Sequence, residues 1–216
     1  TSIAQFSNQK ALKHLEIISE KPHFTGSTEH TVVLNYLVAE FEKLGLEVEI
    51  QEQAAINKKW RAATNAKNIV AKIKGTEKGK ALLLLSHYDS NPHAALGASD
   101  AGSGVVVILE GIRAFLANNQ FPKNDIIICI TDAEELGLLG ANAFVNHHPW
   151  AKNVGIVLNF EARGSGGPSY MLLETSGGNK NLIEAFQKAN TTNPVSSSLM
   201  YSIYKMLPND TDLTVF

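Results

Sequence analysis

The chain has 216 residues, with 19 Lys or Arg against 21 Asp or Glu, a net charge of −2, and a single Cys. A chain this long buries roughly 70% of its surface in one domain, and 44% hydrophobic with 19% charged residues excludes a disordered polymer. The charge gives no reason to expect nucleic acid or an anionic membrane as partner, one Cys excludes an internal disulfide or a thiolate zinc cage, and no apolar stretch reaches bilayer length.

Gln9 to Glu20 carries Leu12, Leu15, Ile17 and Ile18 on a helical face and stops at Lys21-Pro22, because a residue before proline avoids the helical region. Phe24 to Ser27 reads as loop. Glu29 to Leu44 predicts a second helix, with Val33, Leu34, Leu37, Val38 and Phe41 at helical spacing and Gly45 as its stop. Leu46 to Gln51 alternates apolar and polar residues, as a half-buried strand at an antiparallel edge would. Strands are predicted at Ile69–Lys74, Ala81–Ser86, Asp125–Thr131, Val154–Phe160 and Tyr170–Glu174. Helices are predicted at Gly104–Ala117, Leu136–Asn146 and Asn179–Asn190. The continuous apolar runs Ala81–Leu85 and Ile126–Ile130 fit central strands covered on both faces. Strands alternating with helices define an α/β/α three-layer fold with a mixed, mostly parallel sheet.

Ligand chemistry in open α/β sheets gathers beyond the carboxyl ends of the strands. Three apolar runs deliver ionisable residues there: Ser86-His87-Tyr88-Asp89, Thr131-Asp132-Ala133-Glu134-Glu135 and Asn159-Phe160-Glu161. Gly97 to Gly104, containing Asp100, opens the helix between the first two. Carboxylates converging on one edge repel one another unless a cation binds among them. Each piece alone has an ordinary explanation: Glu134-Glu135 suits an acidic first helical turn and Asp100 a helix cap. Gly102-Ser103-Gly104 lacks the lysine of a phosphate loop. The joint pattern is what points to a metal site, with His and carboxylate ligands only.

The segments Ser86–Ser90, Gly97–Gly104, Asp132–Gly140 and Asn159–Ala162 resemble the dinuclear-zinc aminopeptidases of metallopeptidase family 28. Lys21–Ser27 and Asn209–Asp212 are similar to the branch of endoplasmic-reticulum and vacuolar membrane metallopeptidases, which carry the domain beside transmembrane helices. The resemblance implies a zinc-exopeptidase (phosphorylase/hydrolase-like) fold. It also implies His87 and Glu161 as ligands of one Zn2+, Asp100 bridging two zincs and Glu135 on the second. Asp89 would orient His87, and Glu134 would act as general base. The implied reaction is removal of N-terminal residues from peptides with a free α-amine, through a metal-activated water, with no nucleic acid partner. The implied location is extracytoplasmic. The family's last ligand is a His near the domain's end, and no His follows Glu161. Residues 1–216 are therefore expected to form one catalytic domain lacking its C-terminal strands, with a second site that lacks its His ligand.

Two other readings stand beside this one. Some relatives keep the fold as binding or assembly domains after losing ligands, whereas all six site residues are present here. A glutaminyl-cyclase-like transferase with one zinc is the other, and the presence of His87 speaks against it. His147 and His148 are expected at a polar helix end, and His14, His23, His30 and His93 at the surface or in loops. Cys129 should be inert core. Arg163 is expected to pair with ligand carboxylates, or else to bind a substrate carboxylate, and Asp210 and Asp212 to shape the cleft or sit in a solvated turn. Trp60 and Trp150 flank loops without a stacking pattern for nucleic acid.

Overall fold

Chain order begins with two helices, α1 (Asn8–Ile18) and α2 (Thr28–Lys43), in a computed structural model that describes residues 2–162, 164, 166, 179–189, 196, 198–207 and 210–216. Ser7 caps α1 and Ser27 caps α2, each side-chain oxygen accepting an otherwise unpaired backbone N–H. The strands β1 (Val48–Asn57) and β2 (Ala62–Ile73) form a long antiparallel hairpin. There follow β3 (Ala81–His87), a wide turn at Ala98–Ser103, α3 (Gly104–Leu116), β4 (Ile126–Thr131), α4 (Leu139–His147) and β5 (Val154–Asn159). A short 3-10 turn at Asp212–Val215 also belongs to this unit, which comprises Thr1–Gly164 and Thr211–Phe216. A second unit, Ser165–Asp210, contains α5 (Lys180–Lys188) and α6 (Ser198–Met206). The predicted strand Tyr170–Glu174, Arg163 and Asn209 lie outside the described residues.

The sheet order is β1-β2-β4-β3-β5, mixed in sense: β3 pairs parallel with β4 and β5, while β2 runs antiparallel to both β1 and β4. The β1 edge is antiparallel as expected, but the alternation fails at its end, where Ile50 is exposed and Gln51 is buried with its amide donating to the Ala143 carbonyl. The strand alternation sorts the core. Ile128 and Ile130 of β4 pack with Leu37, Phe41 and Ile108 from the helical layer of α1, α2 and α3. Ile127 and Cys129, one residue out of phase, pack with Phe144 of α4 on the other face. Helices on both faces explain why β3 and β4 read as unbroken apolar runs.

Two glycines let the helices reach the sheet. A Cβ on Gly104, at the start of α3, would lie 2.3 Å from the carbonyl oxygen of Phe160 and 2.6 Å from Ser86 Oγ. A Cβ on Gly140, at the start of α4, would lie 2.2 Å from the carbonyl oxygen of Asp132. Neither distance admits a methyl group, so both helices begin in contact with the strand ends where the polar residues emerge. The predicted α4 starts at Leu136, but the helix starts three residues later. Ala133, Gly137 and Leu138 have φ of 55°, 101° and 60°, left-handed values that turn the chain back before α4 can begin.

Candidate metal centre

His87 is the hub. It ends β3, is almost fully buried, and its Nε2 lies 3.0 Å from Asp100 Oδ1, 3.6 Å from Glu161 Oε1 and 4.0 Å from Glu134 Oε2. Asp100 arrives from the turn that precedes α3, Glu161 follows β5, and Glu134 follows β4. Parallel alignment of these three strands brings their carboxyl ends to one edge. One donor atom each from His87, Asp100 and Glu161 lies within 4.8 Å of the others. Imidazole nitrogen and carboxylate oxygen are donors that zinc accepts, and three protein ligands with an open position is the catalytic arrangement. Glu161 Oε2 is buried with no hydrogen-bond partner, a cost that a cation would remove. The residues therefore fit the metal.

Glu135 stands apart from this cluster. Its Oε2 accepts from Asn91 Nδ2 at 2.8 Å, and it lines a cavity of about 220 Å³ together with Asn91, Gly97, Ser99 and Asp100. Among the described residues, the structure brings together one three-ligand cluster and not a second.

Asp89 meets His87 through two oxygens and has a further role that the sequence does not suggest. The nearest oxygen to His87 Nδ1 is the Asp89 backbone carbonyl at 3.0 Å, with the carboxylate farther at 3.4 Å. The carboxylate also accepts the backbone N–H of Glu134 at 3.0 Å and of Glu135 at 3.2 Å. One residue thus faces the imidazole with both its carbonyl and its carboxylate and fixes the acidic turn through the same carboxylate.

The electrostatics are dominated by crowded acids. Burial, joined by Asp212, Glu161 and Asp89 and opposed by His87, pushes Glu134 up to about 9. Burial of His87 disfavours its charge, but bonds to Asp100, Asp89 and Glu161 outweigh that and hold it well above the usual histidine value.

Asp212 is the site residue whose setting the sequence leaves undecided. It is 1% exposed, not in a solvated turn. Its Oδ2 meets the Thr131 hydroxyl, and its Oδ1 is buried without a partner. That hydroxyl also reaches the Ser86 carbonyl at 3.1 Å, so it has one proton for two acceptors. A protonated Asp212 resolves the conflict by donating to Thr131. Burial, first, and then Asp89 and Glu161 push Asp212 up to about 7, against the pull of His87 and Thr131. The only signal in the sequence is the apolar company of Leu213, Val215 and Phe216, which suits a turn packed inward.

His30 is a correction, since it lies buried within α2 and not at the surface or in a loop; His23 is in a loop as expected, but a buried one. His30 Nε2 donates to Asp132 Oδ1 at 2.8 Å, and its ring stacks on Tyr88 with centroids 4.7 Å apart. Asp132 also accepts from the Thr25 hydroxyl at 3.1 Å and the Lys67 N–H at 2.9 Å, so the N-terminal loop is tied to the end of β4. His23 donates its backbone N–H to Ser90 Oγ at 2.9 Å. His148 is also buried rather than polar surface, stacked on Phe144 at 4.9 Å, whereas His147 is exposed.

The fold is that of the zinc-dependent exopeptidases. It matches a leucine aminopeptidase precursor from Bacteroides thetaiotaomicron with a TM-score of 0.71 at 24% identity, covering 99% of this chain and 82% of that one. It matches glutaminyl cyclase of Porphyromonas gingivalis equally well, with a TM-score of 0.74 at 23% identity, covering 97% and 78%. Residues 68–216 match the sequence profile of peptidase family M28, and the chain belongs to that family. A vacuolar membrane protease of Candida tropicalis is 30% identical over 213 residues, which are 94% of this chain and 23% of that protein. The chain thus spans less than a quarter of that relative's length. Among the described residues, no helix is long and apolar enough to cross a membrane.

Proposed function

We propose that this chain is the peptidase core of a zinc aminopeptidase acting on peptides with a free α-amine. The observation that carries the reading is the convergence of His87, Asp100 and Glu161 within 4.8 Å, with Glu134 Oε2 at 4.0 Å from the same imidazole nitrogen. His87, Asp100 and Glu161 would hold the metal, and Glu135 would contribute to a second ion. Zinc, when bound, supplies a Lewis acid for the scissile carbonyl and positive charge that lowers the pKa values around it. Glu134 takes the proton of the attacking water and delivers it to the leaving nitrogen as the C–N bond breaks. Asp89 holds Glu134 and Glu135 in place through their backbone N–H groups. The acidic edge also suits the substrate's ammonium group, which favours cleavage at the N-terminus. The vacuolar membrane relative supports an extracytoplasmic location, beside membrane-anchored parts of a longer protein.

The test is turnover of aminoacyl 4-nitroanilides by zinc-loaded protein, with elemental analysis of the metal. Glu134→Gln is expected to keep its zinc and lose turnover by about 10²–10⁴-fold, the usual worth of a general base. Wild-type turnover in that variant refutes the role.

One observation favours a second reading. A single three-ligand cluster suits a one-metal transferase, and the fold is shared with glutaminyl cyclases. Release of ammonia from an N-terminal glutamine peptide, without cleavage of any peptide bond, would select it.

A further inference from the structure

The β1–β2 hairpin extends well past the sheet. Pairing of β2 with β4 begins at Ile69↔Ile130, yet β2 continues paired to β1 back to Ala62↔Asn57. Because β2 is antiparallel to β4, this overhang projects from the same sheet edge that carries His87, Glu134 and Glu161. The overhang is held firmly there. Ala55 and Ala66 pack with Ala133, Leu139 and Ala143. Asn57 Nδ2 donates to the Gly137 carbonyl at 2.8 Å, while its Oδ1 accepts the backbone N–H groups of Lys59 and Trp60 at 3.0 and 3.1 Å. The indole of Trp60 lies against Gly137, where a Cβ would come within 3.0 Å of Cδ1. Gly137 in turn donates its N–H to the Glu134 carbonyl at 2.8 Å. The hairpin tip is therefore one turn of chain from the residue read as general base.

The tip is Lys58-Lys59-Trp60-Arg61. All four are exposed, Trp60 by 60%. None of the three cations forms an ion pair among the described residues. In a chain of net charge −2, a cationic lip thus stands beside an edge crowded with carboxylates. That polarity matches a short peptide, whose ammonium and carboxylate ends have the opposite order. The turn from Glu134 to Gly137 spans up to about 7 Å, about two residues of extended peptide at about 3.3 Å each, and the long side chains at the tip add reach toward a third.

We propose that the hairpin tip is a substrate-reading site: Lys58, Lys59 and Arg61 bind a carboxylate two or three residues downstream of the cleaved bond, and Trp60 supplies the apolar surface beneath it. The preferred substrates are then tri- and tetrapeptides with a free C-terminus, or longer peptides with Asp or Glu at that position. This rests on the aminopeptidase reading.

The experiment compares a tripeptide acid, its C-terminal amide, and an amide with Asp at the third position, by kcat/KM and by calorimetric binding to the full chain. The wild type is expected to favour both carboxylate-bearing peptides over the simple amide by about tenfold, with the preference shrinking at high salt. A preference for the free acid alone assigns the site to the α-carboxylate, and an equal preference assigns it to any carboxylate at that distance. In the Lys58→Ala/Lys59→Ala/Arg61→Ala variant the acid-to-amide ratio should fall to about one. Circular dichroism of the variant verifies its fold. Hydrolysis without acid–amide discrimination overturns the proposal while leaving the aminopeptidase reading intact. Discriminating binding without hydrolysis does the reverse. Capture of the wild type by phosphatidylserine vesicles, lost in the triple variant and unaccompanied by any peptide preference, would assign the tip to a membrane surface and overturn the proposal.

Discussion

Replacing Asp212 by asparagine should change how metal-free protein responds to pH. Asp212 is pushed from an ordinary 3.8 up to about 7, chiefly by burial. The folded state therefore holds this proton more tightly than the unfolded chain. Between about pH 4 and 7 folding binds a proton, so stability falls as pH rises through that window and levels off above it. A shift of about three units at about 1.36 kcal/mol each amounts to roughly 4 kcal/mol, of which about 3 falls between pH 5 and 8. For a chain of this size a kcal/mol moves the melting temperature by about 2–4 °C. The side chain introduced by Asp212→Asn cannot ionise, yet its amide can still donate to the Thr131 oxygen. After removal of metal with EDTA, thermal melts of both proteins should diverge with pH. The variant should gain about 6–12 °C on the wild type between pH 5 and 8. His87 and Glu134 titrate in both proteins, so the difference reports Asp212 together with its coupling to them. A difference that stays flat, or that shrinks as pH rises, would refute the buried neutral carboxyl.

Gly104→Ala should cost about 1–3 kcal/mol in urea melts, because its methyl would press on the Phe160 carbonyl and Ser86 Oγ. It should also weaken zinc binding, since Asp100 enters the site from the turn that Gly104 ends. His30→Ala should cost about 1–3 kcal/mol by stripping the buried Asp132 carboxylate of one donor, again read in urea. Cys129, buried in the β4 core with its thiol pushed well above the usual value by burial, should react with a thiol reagent only after denaturation. Rapid labelling of the native protein would contradict the packing of β4.

The parts of the fold read most directly from sequence are those whose signal is local. Central strands β3 and β4 announce themselves as apolar runs, because both of their faces are covered. The residues following them are conspicuous for the same reason: charge placed directly after a buried run has to emerge at its end. What escapes is decided by distant partners. The first half of β2, Ala62 to Asn68, has no apolar alternation, since it pairs only with β1 beyond the body of the sheet. His30 sits on a helix that reads as amphipathic, and only the approach of Asp132 and Tyr88 makes it interior. The neighbouring positions of His87 and Asp89 suggest a ring–carboxylate contact. The structure keeps that contact at 3.4 Å, and adds the Asp89 carbonyl at 3.0 Å on the ring and the backbone N–H groups of residues 134 and 135 on the carboxylate. Asp212 lies 81 residues beyond its Thr131 partner, a separation over which no spacing rule speaks.

The network around Asp132 bears on where this molecule can be cut. The part recognised as family M28 starts at residue 68, a border drawn by ancestry. The hydrogen bonds disregard it. Thr25, His30 and Lys67, all on the near side, satisfy the carboxylate two positions before Glu134, and Tyr88 lies under the ring of His30. An excised 68–216 segment would keep every proposed metal ligand and forfeit the groups that hydrogen-bond the floor beneath them. Expressed alone, such a piece should retain the lineage's signature but not its shape, failing to melt cooperatively where the full chain does. Heredity and mechanics partition this chain at different places.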